Sequence, residues 1–166
     1  MKKPVAPYVL VCITFAVNFA ADRITKLLAE LYLQGRPPTG FLKDIIIITY
    51  TENTGAFLSL GRNWPIAVKY ALLLVIPVGI CLFVLGYCLF RERNPLRIIH
   101  LTTIVAGGLS NLIDRSFNNF AVVDFLNFGI GRLRTGILNV ADLSVTFGGI
   151  ALILSEAKKK DAPAQQ

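Results

Sequence analysis

Four long apolar stretches alternate with polar, turn-forming segments along this chain of 166 residues. A bilayer core takes about 20 largely apolar residues per helix, so each stretch reads as a membrane span. The first runs from about Pro4 to Ala21 without a charge. It continues at helical spacing through Ile24, Leu27, Leu28 and Leu31, which carries Asp22, Arg23 and Lys26 into the same helix. Lys2-Lys3 and the following apolar run have the look of a cleavable leader, but the helical spacing passes the supposed cut, so a retained first span is expected. Tyr70–Phe90 is the cleanest span, with a kink expected at Pro77. Ile98–Ile113 is the third, ending in Asp114-Arg115. Thr135–Ser155 is the fourth, interrupted by a single acid, Asp142.

Between the first two spans, about Gln34 to Pro65, the turn residues Gly35, Pro37, Pro38 and Gly40 come first. Asp44–Thr51 is β-branched and aromatic and predicts a strand. Phe57, Leu58, Leu60 and Trp64 then suit a short amphipathic element at the membrane interface. The shorter outer segment spans about Ser116 to Arg134. Four spans put both termini on one side. The dense basic clusters Lys2-Lys3, Arg91–Arg97 and Lys158–Lys160 place that side in the cytoplasm. The sequence is thus read as a single integral membrane domain, 1–157, with a disordered cytoplasmic tail, 158–166.

Composition agrees: 54% of residues are hydrophobic and 16% charged, where a soluble domain carries about a quarter charged. The formal charge of +7 raises nucleic acid as a partner. The basic residues lie between apolar runs and form no stripe with interleaved aromatics, so membrane lipids are the expected partner and nucleic acid is not. Cys12, Cys81 and Cys88 all sit in apolar runs and read as packing residues.

An ionisable group in or beside a membrane is expensive, which makes each one a functional candidate. His100, the single histidine, lies near the cytoplasmic end of the third span, so neither a histidine-rich metal site nor a Ser-His-Asp triad can be built. No lysine is near Ser110 or Ser144 in sequence. Carboxylates remain. Asp124 and Asp142 are each embedded among apolar neighbours on the outer side, and two acids close together in a dry site share a proton. Such a pair hydrolyses an amide without a metal or cofactor: one member takes a proton from water and the other gives one to the carbonyl. From these residues alone, a helix-capping role for Asp142 and a surface role for Asp124 stay equally open.

The blocks Asp22-Arg23-Ile24-Thr25-Lys26, Asn53-Thr54-Gly55-Ala56-Phe57, Gly107–Arg115, Val122-Val123-Asp124-Phe125 and Asn139-Val140-Ala141-Asp142 occur in this order. Together they closely resemble lipoprotein signal peptidase, or signal peptidase II, over about residues 8 to 155. The resemblance implies an aspartic endopeptidase of the bacterial cytoplasmic membrane, without a cofactor. It would cut diacylglyceryl-modified prolipoproteins just before the lipidated cysteine. The implied fold is α-helical, with four transmembrane helices, a small extracytoplasmic β cradle and a short interfacial helix, and a monomer is expected. By the same match Asp124 and Asp142 form the catalytic pair. Asn53, Gly55, Gly108, Asn111, Arg115, Asn139 and Ala141 would line the pocket that receives substrate or globomycin, with Asp22, Lys26 and Asp114 in support. Each block has a plainer reading. Gly107-Gly108 permits close helix packing, the asparagines cross-link helices, Arg115 pairs with Asp114, and Asp22 with Lys26 is an ion pair on one helix face. The family commonly has Asp-Gln where this chain has Asp22-Arg23, and often doubles the alanine where it reads Gly55-Ala56-Phe57. The competing class is a small transporter using membrane acids as a relay. Against it, the acids gather at one side and no inverted repeat is visible.

Overall fold

A computed structural model describes residues 6–56 and 60–160. Lys2, Lys3, Phe57, Leu58 and residues 161–166 of the expected tail lie outside the described residues.

Four helices are long and apolar enough to cross a membrane: α1 (Pro7–Leu33), α2 (Ile66–Phe90), α3 (Pro95–Phe117) and α4 (Val140–Lys160). Their boundaries carry ordinary stop and start chemistry. Gly35, at φ +73, follows the end of α1, in the left-handed conformation that glycine adopts without a Cβ clash. Asn94 caps α3, accepting from the backbone N–H groups of Leu96 and Arg97 at 3.0 and 3.2 Å, with Pro95 in the first turn. The kink expected at Pro77 takes the form of a π-helical turn, Ala71–Val75, in which the N–H of Ile76 donates to the carbonyl of Ala71. A proline ring crowds the carbonyl four residues earlier, here Leu73, and the widened turn just ahead of Pro77 relieves it.

The four strands are β1 (Thr39–Phe41), β2 (Ile46–Asn53), β3 (Val122–Ile130) and β4 (Leu133–Leu138). They form one antiparallel sheet in the order β1-β2-β3-β4. The strand expected over Asp44–Thr51 is β2, two residues further along. The expected fourth span begins too early, because Thr135–Leu138 belongs to β4 and the helix starts at Val140. The short segment Ser116–Arg134 likewise holds most of a hairpin, turned at Gly131-Arg132 with Gly131 at φ +55. Pairing of Thr51 with Asp124 joins the two outer segments into one unit over one end of the bundle.

Helix α3 is central and packs against the other three. The interior mixes apolar side chains with an unusual number of polar ones, while the helix surfaces are apolar. Asp22, Lys26, Thr102, Ser110, Asn111, Asp114, Asn139 and Ser144 are buried, whereas Val17, Phe83, Phe90 and Ile153 stand exposed on the helix surfaces. Lipid is as apolar as leucine, so burying apolar groups between spans gains little and packing and polar contacts hold the helices together. At the end opposite the sheet, Arg97 donates to Glu92 at 3.0 Å and to Glu156 at 2.6 and 3.0 Å, tying the α2–α3 turn to α4. Burial works against the Glu92 charge. Backbone donors at Asn94 and Arg93, with Tyr87 and Arg97, outweigh it and hold the carboxyl down at about 2. Replacing Arg97 with Ala is expected to loosen the clasp slightly, as for a solvent-screened pair, read as a small drop in the thermal unfolding midpoint in detergent. An unchanged midpoint would mean that this clasp adds nothing.

Candidate active site

The buried polar side chains converge where α1, α3 and α4 meet the sheet. Asp142 is placed by a reciprocal cap. Asn139, just before α4, accepts from the Asp142 N–H at 2.9 Å, and its own N–H donates to Asp142 Oδ2 at 3.2 Å. This is a capping box, with the acid at the third helical position, where a helix N-terminus favours negative charge. Asp124 is placed by β3 and is 2% exposed. Its Oδ1 accepts from Asn139 Nδ2 at 2.6 Å and its Oδ2 from Asn53 Nδ2 at 3.2 Å. One residue, Asn139, therefore hydrogen-bonds to both acids. Asn111 adds a donor to Asp142 Oδ1 at 2.9 Å.

Both acids line a cavity of about 50 Å³, with Asn53, Asn111 and Arg115 among its walls. It shares Asn53, Asp124 and Ile137 with a wider groove of about 250 Å³ that also meets Glu52 and Arg62. Burial, and then the charge of Asp142, push the Asp124 carboxyl up to about 7; hydrogen bonds from Asn53 and Asn139 and the charge of Lys26 work in the other direction. Asp124 is thus a carboxyl that holds a proton near neutrality, beside a second carboxyl accepting from Asn111 and its own helix cap. Arg115 donates to the carbonyl of Gly55 at 3.0 Å, which ties α3 to the loop after β2. Among the described residues its buried Nε has no hydrogen-bond partner.

Behind the acids, Lys26 lies 2.8 Å from both Asp22 and Asp114 and donates to Asn111 Oδ1 at 2.7 Å. Asp22 accepts from Ser110 at 2.6 Å and from the backbone N–H of Ala141 at 2.8 Å. Of the residues singled out in the sequence, Asn53, Asn111, Arg115, Asp124 and Asp142 share the cavity wall. Gly55 stands just outside, donating its N–H to Asn53 Oδ1. Ala141 is fully buried and meets Asp22 through its backbone. Gly108 faces Cys81 of α2 instead of the cavity. Gly107 is the close approach: a Cβ there would lie 2.5 Å from the carbonyl oxygen of Ala141. Asp114 pairs with Arg23 and Lys26, not with Arg115. The sequence reading missed Ser110 and Arg23 as members of this cluster. Ser110 lies four before Asp114, an offset that puts the two on one helix face; no spacing marked Arg23.

Comparison with known proteins gives a consistent picture. The family profile described as Signal peptidase (SPase) II matches residues 14–158. The chain is 36% identical over 157 residues to the lipoprotein signal peptidases of Borrelia duttonii (strain Ly) and Borrelia recurrentis (strain A1), covering 92% of this chain and 91% of each relative. Its fold is similar to that of a bacterial membrane enzyme solved by the in meso method at 2.3 Å resolution. That likeness has a TM-score of 0.80 at 22% identity, over 94% of this chain and 92% of the other. A second bacterial membrane enzyme, at 1.9 Å, gives a TM-score of 0.74 at 22% identity, over 88% and 91%.

Proposed function

The chain belongs to the signal peptidase II family, and from that premise we propose that it cleaves signal peptides from prolipoproteins as an aspartic endopeptidase. The bond it cuts is the one just before the diacylglyceryl-modified cysteine. The observation that carries the aspartic reading is the shared donor Asn139, which hydrogen-bonds to Asp124 and Asp142 at the wall of one cavity.

Asp142 is the base and Asp124 the acid. Asp142 accepts from Asn111 and from the cap of its own helix, two donors that favour the carboxylate form. It removes a proton from a water held between the two acids while Asp124 donates its proton to the scissile carbonyl, giving a tetrahedral diol. Return of the protons, one to the leaving nitrogen and one to Asp124, frees both products and resets the pair. The buried Nε of Arg115 supplies a donor for a substrate carbonyl entering from the groove. The lipid anchor holds the bond at the membrane surface, which lowers the entropic cost of positioning it. The enzyme sits in the cytoplasmic membrane with both termini in the cytoplasm and the site on the outer face, as the density of Lys and Arg in the short segments supports.

A gel-shift assay on prolipoprotein tests the reading: the diacylglyceryl-modified form is expected to be cut and the unmodified form spared. Equal cutting of both would refute the lipid requirement. The pH dependence has a definite sign. The Asp124 carboxyl lies at about 7, above its ordinary 3.8, so it carries its proton below that pH and loses it above. A general acid without its proton cannot donate, so kcat is expected to fall as pH rises through about 7. A rate that stays flat from roughly pH 6 to 9 would remove Asp124 as the acid.

A further inference from the structure

The polar group with no place in the scheme above is the ammonium of Lys26, which is 2% exposed and does not line the cavity. Holding a charge at that depth is costly unless it is fully partnered, and the cost calls for a reason. Asp22 of α1 and Asp114 of α3 neutralise it at 2.8 Å each. Arg23 shares Asp114, while Arg115 of α3, Asp124 of β3 and Asp142 of α4 complete the charged groups around it. Two acids would have been unnecessary in an apolar core, and a purely structural tie between helices needs no third contact. The third contact is Asn111.

An amide side chain has two ends of nearly the same shape and opposite hydrogen-bonding character. Asn111 offers its Nδ2 to Asp142 Oδ1 at 2.9 Å. Turned over, it would point a lone pair at a lone pair there. Its other end decides between the two: Oδ1 accepts from Lys26 Nζ at 2.7 Å and from Asn139 Nδ2 at 3.2 Å, so a flipped amide would face two donors. Asn53 and Asn139 are oriented in the same way, each Oδ1 held by a backbone N–H, of Gly55 and Asp142 respectively. Those locks are local. Asn111 is the one of the three whose orientation depends on a cation from another helix.

Resting on the reading of Asp124 and Asp142 as the catalytic pair, we propose that Lys26 is a positioning residue: it pins the carbonyl of Asn111 so that only an N–H can meet Asp142, which keeps that oxygen free of a proton and available as the base. Its charge acts in the same sense as its geometry. Neither requires contact with substrate.

Removing Lys26 alone would strand two acids, so the test variant is K26M/D114N, which removes one charge of each sign and leaves Asp22 its donors from Ser110 and Ala141. With purified enzyme in detergent and lipidated prolipoprotein, its kcat at neutral pH is expected to fall about tenfold or more below D114N alone, with KM within about threefold. The acidic limb of its pH–rate profile is expected to move up by about one pH unit, because Asn111 Oδ1 then keeps only the 3.2 Å contact from Asn139 Nδ2, a donor shared with Asp124, and the amide can turn over. The D114N variant retains the Lys26–Asn111 contact and is expected to keep the parental limb. A folded double variant whose limb stays in place and whose kcat matches D114N would make Lys26 a structural tie only. Should the double variant fail to fold, Asn111→Leu carries the test: the limb is expected to rise there too, and a limb that stays put overturns the proposal. Failure of the underlying pair is separately visible, since full activity in Asp142→Asn would end both readings at once.

Discussion

Replacing Asp124 or Asp142 with Asn is expected to slow cleavage of lipidated prolipoprotein by at least about 10³-fold while leaving the protein folded. The two losses differ in kind. Asn at 142 keeps a side-chain oxygen for the cap but has no basic oxygen to take a proton from water, and its amide N–H faces the donor of Asn111. Asn at 124 cannot transfer a proton to the carbonyl, and its amide must point one N–H pair at the donors of Asn53 or Asn139. That mismatch costs stability as well, about 1–3 kcal/mol for an unsatisfied buried donor. Initial rates by gel mobility, beside thermal unfolding of the same preparations, separate the two effects. Either variant turning over near the parental rate would dismiss that acid from the chemistry.

The other large effect is expected from a single methyl group that touches no ionisable side chain. In Gly107→Ala the new Cβ would lie 2.5 Å from the carbonyl oxygen of Ala141 and 3.1 Å from Ser144 Cβ. A backbone carbonyl in a helix cannot turn aside alone, so α4 must shift, and Asp142 is the next residue along. A displacement of about 1 Å at a catalytic group can cost about 100-fold, and the loss should appear in kcat more than in KM. Overpacking should also lower stability by about 1–3 kcal/mol. Gly149→Ala is the matched control, because nothing lies within 4 Å of a Cβ at that position of the same helix. If both alanine variants work equally well, the close approach of α3 and α4 does not set the position of Asp142.

The four spans were legible because a long apolar run has few other meanings. The error at Thr135–Leu138 shows where that signal fails: an apolar run joins a hairpin strand to a span, and only the glycine turn at Gly131 marks the strand. The pairing of Thr51 with Asp124 was not legible, since a register between segments so far apart depends on the folded bundle. The acids were singled out by elimination among scarce charges and by their motifs. Their wiring was not. The plainer alternative that paired Arg115 with Asp114 treated neighbours in sequence as neighbours in space, whereas consecutive helical residues point in different directions. Asp114 turns inward to Lys26 and Arg115 toward Gly55. The same offset explains why Gly107, not Gly108, is the tight contact with α4.

Asp22 and Lys26 lie four apart on α1, close enough to neutralise each other before any other span is present. During synthesis the first helix therefore enters the translocon as an electrically balanced unit, although it carries charges that would resist insertion singly. Ala141, the backbone partner of Asp22, is made 119 residues later. The ion pair that served the nascent helix alone stays closed at 2.8 Å, and the last helix docks against the acid's other oxygen.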